Sequence, residues 1–117
     1  MATYKKFAGA FIRGRLSEAR RLAKGETLRI IARQEILIEK GPPPPPIVDS
    51  QFMIFAEQFS GKGRKLRLNA LHVVQTGGAD SLYTPPRLHR QDVTLHEGNE
   101  GWRVVRFKDN LEKCCLP

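Results

Sequence analysis

An α+β fold is what this 117-residue chain predicts: a basic N-terminal helical arm, a polyproline spacer and a small antiparallel β-sheet. Three observations point there. Apolar residues keep helical spacing early on, with Ile12, Leu16, Ala19 and Ala23 on one face of a wheel and Phe11 and Leu22 at its edge. Five consecutive prolines, Pro42 to Pro46, then interrupt every regular element. After them the period becomes alternating, most plainly where Leu66, Leu68 and Ala70 alternate with Lys65, Arg67 and Asn69.

The first helix is expected to start between Thr3 and Ala8 and to run to Lys24. Gly9 and Gly14 weaken its beginning by about 1 kcal/mol each relative to alanine, and Gly25 suits its C-cap. Glu26-Thr27 restart a helix, which the spacing of Leu28, Ile31, Ala32, Glu35 and Ile38 carries to about residue 40. Ile30, Ile31, Ile36 and Ile38 would also suit a strand. Because apolar side chains spread round this second wheel, enclosure on more than one side is expected. The arm therefore covers 1–41.

Pro42–Pro46 read as a stiff polyproline II spacer of roughly 15 Å. Residues 47–117 follow as a small β-rich domain with a short tail. In it, 47–59 is a strand with Phe52, Phe55 and Phe59 in the core, and 60–64 has turn chemistry. Residues 65–74 return as the partner strand, giving a hairpin with a basic tip. The stretch 76–80 breaks the pattern and 83–86 crosses irregularly. Asp92–His96 then pairs with Trp102–Phe107 across a Gly98–Gly101 turn, and 109–117 is a tail with one helical turn.

Charge is the strongest global property. The chain carries 20 Lys and Arg against 12 Asp and Glu, a net +8, with a pI near 10.0 and a mean hydropathy of −0.41. The excess is concentrated early: residues 1–40 hold ten cations and four acids, whereas 79–117 hold six of each. Ala2–Lys24 alone has Lys5, Lys6, Arg13, Arg15, Arg20, Arg21 and Lys24 against Glu18. Arg13, Arg20 and Lys24 project opposite the apolar face. A segment anchored by one face and basic on the other fits a polyanion, RNA above all. A solvated basic face without a partner is the plain alternative.

A second cluster, Lys62, Arg64, Lys65 and Arg67 with Gly61 and Gly63, lets backbone approach a phosphate while cations supply charge-assisted hydrogen bonds. Its plain reading is a turn whose lysines protect a sheet edge. The third, Arg87-Leu88-His89-Arg90, is either a backbone-tracking segment offering Arg87 and Arg90 or an ordinary polar loop. Tyr4, Phe7, Tyr83 and Trp102 are candidates for stacking on unpaired bases, although a lone tryptophan in a small sheet also serves as core.

Nothing points to catalysis. The P-loop spacing, a dinucleotide fingerprint, a nucleophile elbow and the RNP signature are all absent. His72, His89 and His96 lack metal-ligand spacing, so neither metal nor cofactor is expected. Cys114 and Cys115 are adjacent and cannot build a disulfide framework, which favours a reducing compartment. No stretch approaches the ~20 apolar residues of a membrane span.

The stretch Phe11-Ile12-Arg13-Gly14-Arg15-Leu16 to Arg20-Arg21-Leu22, with the proline spacer and dispersed basic clusters, resembles accessory proteins of mitochondrial ribosomes. The resemblance implies a non-enzymatic structural component of a large hetero-assembly in the mitochondrial matrix, the small ribosomal subunit favoured. Its partners would be ribosomal RNA and neighbouring ribosomal proteins. The N-terminus also has the composition of a mitochondrial targeting segment, expected here to be retained as an anchor. The alternative is an accessory subunit of a respiratory membrane complex, docked through Phe7, Phe11, Ile12 and Leu16.

Overall fold

Four strands, β1 (Ile47–Ser60), β2 (Lys65–Thr76), β3 (Arg87–Gly98) and β4 (Gly101–Glu112), form an antiparallel meander in the order β1-β2-β3-β4. Three helices, α1 (Ala2–Ile12), α2 (Leu16–Arg21) and α3 (Glu26–Lys40), pack on one side of it. The structure is a computed structural model and describes residues 1–41, 46–77 and 85–112. The expected spacer therefore lies, except for Pro46, outside the described residues, as do Tyr83, Cys114 and Cys115.

The α+β class follows from how each element meets the core. In β2 the alternation is complete: Leu66, Leu68, Ala70, His72, Val74 and Thr76 are buried, while Lys65, Arg67 and Asn69 between them are exposed. Val93 and Leu95 of β3, with Val104 and Phe107 of β4, extend the same buried layer. Tyr4, Phe7, Ala8, Phe11, Leu16, Ala19 and Ile31 close it from the helical side. Residues 1–41 and the sheet thus share one hydrophobic core, in which Phe7 meets Phe107 edge-on at 4.9 Å between ring centroids.

The N-terminal stretch is two helices where one was expected. Gly14 adopts φ +75°, a left-handed conformation open to glycine at little cost, and Arg15 N–H reaches back to the Ala10 carbonyl at 2.9 Å. The turn rotates α2 relative to α1, so the wheel drawn through residues 12–23 does not hold. The buried face of α1 is Tyr4, Phe7, Ala8 and Phe11 instead. After α2, a short parallel bridge joins Ala23 to Val104. Lys24 N–H donates to the Val104 carbonyl at 2.9 Å, and Val104 N–H to the Leu22 carbonyl at 2.7 Å. Those bonds fasten the helical layer to β4.

Helix α3 is helical to Lys40, as its spacing requires, but it is enclosed on one side only. Leu28, Ile36 and Leu37 are exposed. The strands run longer than expected: Arg87–Arg90 opens β3 and Asp109–Glu112 ends β4 as strand rather than as a helical turn. Phe52 packs against the core, whereas Phe55 and Phe59 are 56% and 59% exposed. A bulge between Ile54 and Ala56 shifts the register of β1, and the helices cover β2 to β4 more fully than the far end of this edge strand. Phe59 meets Trp102, half-buried against the core, at 6.4 Å.

Candidate nucleic-acid interface

Burial of Tyr4 and Phe7 fixes the rotation of α1, and that rotation places Lys5 and Lys6 outside. About two turns on, Arg13 and Arg15 flank Gly14 at the corner between α1 and α2. These four cations line one open cleft of about 340 Å³, together with Glu18 as its single acid. Among the described residues none of the four takes part in an ion pair. Arg13 is held by a hydrogen bond from Nη1 to the Gly9 carbonyl, 3.3 Å. A cleft lined by four cations against one acid carries a net positive field that attracts anions.

The remaining N-terminal cations are placed elsewhere. Arg20 pairs with Glu35 of α3, and Arg21 is exposed at the end of α2. Lys24 lines a separate groove of about 830 Å³ that also contains Glu97 and Glu100. The expected stripe of Arg13, Arg20 and Lys24 is therefore not a continuous surface.

The second cluster is divided by the hairpin. Lys62 and Arg64 sit in the exposed β1–β2 turn, where Gly61, Lys62 and Gly63 all have positive φ. Lys65 and Arg67 belong to β2 and lie on the sheet face away from the helices. There, cross-strand register sets Lys65 beside His96 and Arg103, and Arg67 beside Thr94 and Arg106. Asn69, Asp92 and Lys108 form the next row. Arg103, Arg106 and Lys108 were missed as site residues; the i, i+2 spacing of Arg106 and Lys108 in a strand was the available signal. Asp92 offsets part of this charge through Arg67, with Nη2 to Oδ2 at 3.1 Å. That hydrogen bond, then its charge, holds the Arg67 guanidinium above its usual range. Arg90 pairs with Glu112 in the same way. Arg87 does not join Arg90: it lies on the helical side, in a cavity beneath α3.

Stacking on bases by Tyr4 or Phe7 is ruled out by their complete burial. Of the docking face expected toward a membrane complex, Phe7, Phe11 and Leu16 are turned to the chain's own core, and Ile12 is half-buried. Among the described residues no helix is long and apolar enough to cross a membrane, and no cluster of three His, Cys, Asp or Glu is placed to hold a metal ion.

A buried polar seam ties α1 to the sheet beneath the cleft. The Tyr4 hydroxyl donates to Gln91 Oε1, and burial pushes its pKa up, so it remains a donor. Gln91 Nε2 donates to Asp109 Oδ1 at 3.0 Å, and His89 Nδ1 to Asp109 Oδ2 at 3.1 Å. His72, stacked on Phe52 at 4.1 Å, lies 6.3 Å from the His89 ring. Burial above all, and next the neighbouring His89, push its pKa from 6.5 down to about 4. Comparison with family models, with curated proteins and with solved structures finds no match.

Proposed function

We propose that the chain is a non-enzymatic structural component of a mitochondrial ribosome, in the small subunit, binding ribosomal RNA and neighbouring ribosomal proteins in the matrix. The observation that carries this reading is the convergence of Lys5, Lys6, Arg13 and Arg15 on one cleft, with none of them in an ion pair among the described residues. Cations held in this way are available to phosphate oxygens. Further cations, Lys65, Arg67, Arg103, Arg106 and Lys108, line the outer face of the sheet, where Arg67, Arg103 and Arg106 pair with Asp92, Glu100 and Glu26. Basic surfaces on both sides suit a protein surrounded by RNA better than one that binds a single ligand. The basic N-terminal segment would anchor to RNA through the outer side of the helical layer, whose inner side packs on the sheet.

Replacing Lys5, Lys6, Arg13 and Arg15 by glutamine tests the cleft. Each phosphate contact contributes about 0.7 to 0.9 to the slope of log affinity against log salt. The quadruple variant is therefore expected to bind a small-subunit ribosomal RNA fragment with a slope shallower by about three, measured by filter binding across a salt series. An unchanged slope would place the RNA, if it binds, elsewhere on the protein.

A further inference from the structure

We propose that the cavity between the C-terminal parts of α1 and α3 and the adjoining end of the sheet binds a small organic carboxylate with an apolar body. The cavity has a volume of about 290 Å³, which is roughly ten water volumes. Phe11 and Ile12 from α1 and Leu37 and Ile38 from α3 form apolar walls. Arg87 and His89 enter from β3 on the sheet side. Apolar walls with a few convergent polar groups are the usual make-up of a small-molecule site.

Two residues that line the cavity, Arg87 and His89, each hold a buried nitrogen without a partner among the described residues, and His72 adjoins His89. Five buried side-chain nitrogen and oxygen atoms lack a hydrogen-bond partner among the described residues. Four of them belong to Arg87, His89 and the adjacent His72. Buried polar atoms are normally paired, and leaving a charged one unpaired is costly. Arg87 carries a full positive charge with a buried, unpartnered Nε and no ion pair among the described residues.

The sign of the ligand follows from what its neighbours already do. Asp109, the acid of the cavity, has both oxygens engaged, one by Gln91 Nε2 and one by His89 Nδ1. An ammonium group would meet a carboxylate already engaged by two donors and would lie beside the unpaired Arg87 cation. A carboxylate would find the Arg87 guanidinium, whose planar fork matches its geometry. A bare inorganic anion would leave the four apolar walls without contact. The site is separate from the proposed RNA cleft and independent of that reading.

Hexanoate, hexylamine and inorganic phosphate, titrated into ¹⁵N-labelled full-length protein, test the proposal. Hexanoate is expected to give saturable shifts at the amides of Gly14, Leu37, Ile38 and His89, with a Kd at or below about 1 mM. Hexylamine and phosphate are expected to give none. Arg87→Met should weaken hexanoate about tenfold or more. Ile38→Trp, which fills the cavity from the outer helix and leaves Arg87 in place, should abolish the shifts and decides the case if Arg87→Met fails to fold. No saturation by about 10 mM, hexylamine or phosphate binding as well as hexanoate, or unchanged hexanoate affinity in a folded variant would overturn the assignment.

Discussion

Phe7→Ala is expected to remove about 3–5 kcal/mol of stability. Phe7 is fully buried, meets Phe107 edge-on at 4.9 Å and stacks near Phe11 at 5.9 Å. Its deletion opens a cavity where the helical layer meets β4, and the lost aromatic pairs add about 0.5–1.5 kcal/mol. A domain of this size has about 5–15 kcal/mol in total, so the loss is a large fraction of what holds the fold and should lower the unfolding midpoint sharply. The urea midpoint and the dispersion of sheet amides measure this. Lys6→Ala, one residue away and exposed, should stay within about 0.5 kcal/mol of the parent. A sheet that melts identically with and without the Phe7 ring would mean that the helices are not part of its core.

Acid should destabilise the protein through His72. The imidazole is neutral in the folded state down to about pH 4, whereas in the unfolded chain it takes up a proton below 6.5. The unfolded state therefore binds more protons between these values, and stability falls as pH falls through that window. The full effect is about 3 kcal/mol, reached below pH 4. His89, Asp109 and Arg13 are the charged or titratable groups that act on the ring; Asp109 favours the protonated form, the other two oppose it. His72→Phe keeps an aromatic against Phe52 and removes the titration. The urea midpoint of that variant should decline less between pH 7 and pH 4.5, while an equally steep decline would assign the acid sensitivity to another group.

The strands were legible because one period dominates them. Lys65 to Asn69 alternate polar and apolar, and the Gly61-Lys62-Gly63 turn can reverse the chain only where positive φ is tolerated. Helix α3 was legible for the same kind of reason, its Leu28 to Ile38 spacing outweighing four isoleucines that favour a strand. What could not be read was geometry set by single residues. Gly14 costs a helix little more when it bends than when it continues, so its left-handed turn is invisible to a wheel. The consequence reaches the site: the turn brings Arg13 and Arg15 to Lys5 and Lys6, and leaves Arg20 to Glu35. Phe55 was misplaced for a simpler reason: it adjoins Ile54, which packs against the core, so the strand's alternation turns Phe55 outward. Arg87 was grouped with Arg90 by proximity, but the strand sends neighbours three apart to opposite faces.

The proposed function rests on the α1–α2 cleft being occupied by RNA in the mitochondrion. Gradient sedimentation of mitochondrial extract containing the tagged chain tests that directly, with and without RNase and alongside the Lys5, Lys6, Arg13, Arg15 glutamine variant. The parent protein should travel with the small ribosomal subunit and leave that fraction on RNase treatment, while the folded variant should remain at the top of the gradient. Parent and variant sedimenting alike, or the parent travelling with membrane complexes regardless of RNase, would contradict the proposal.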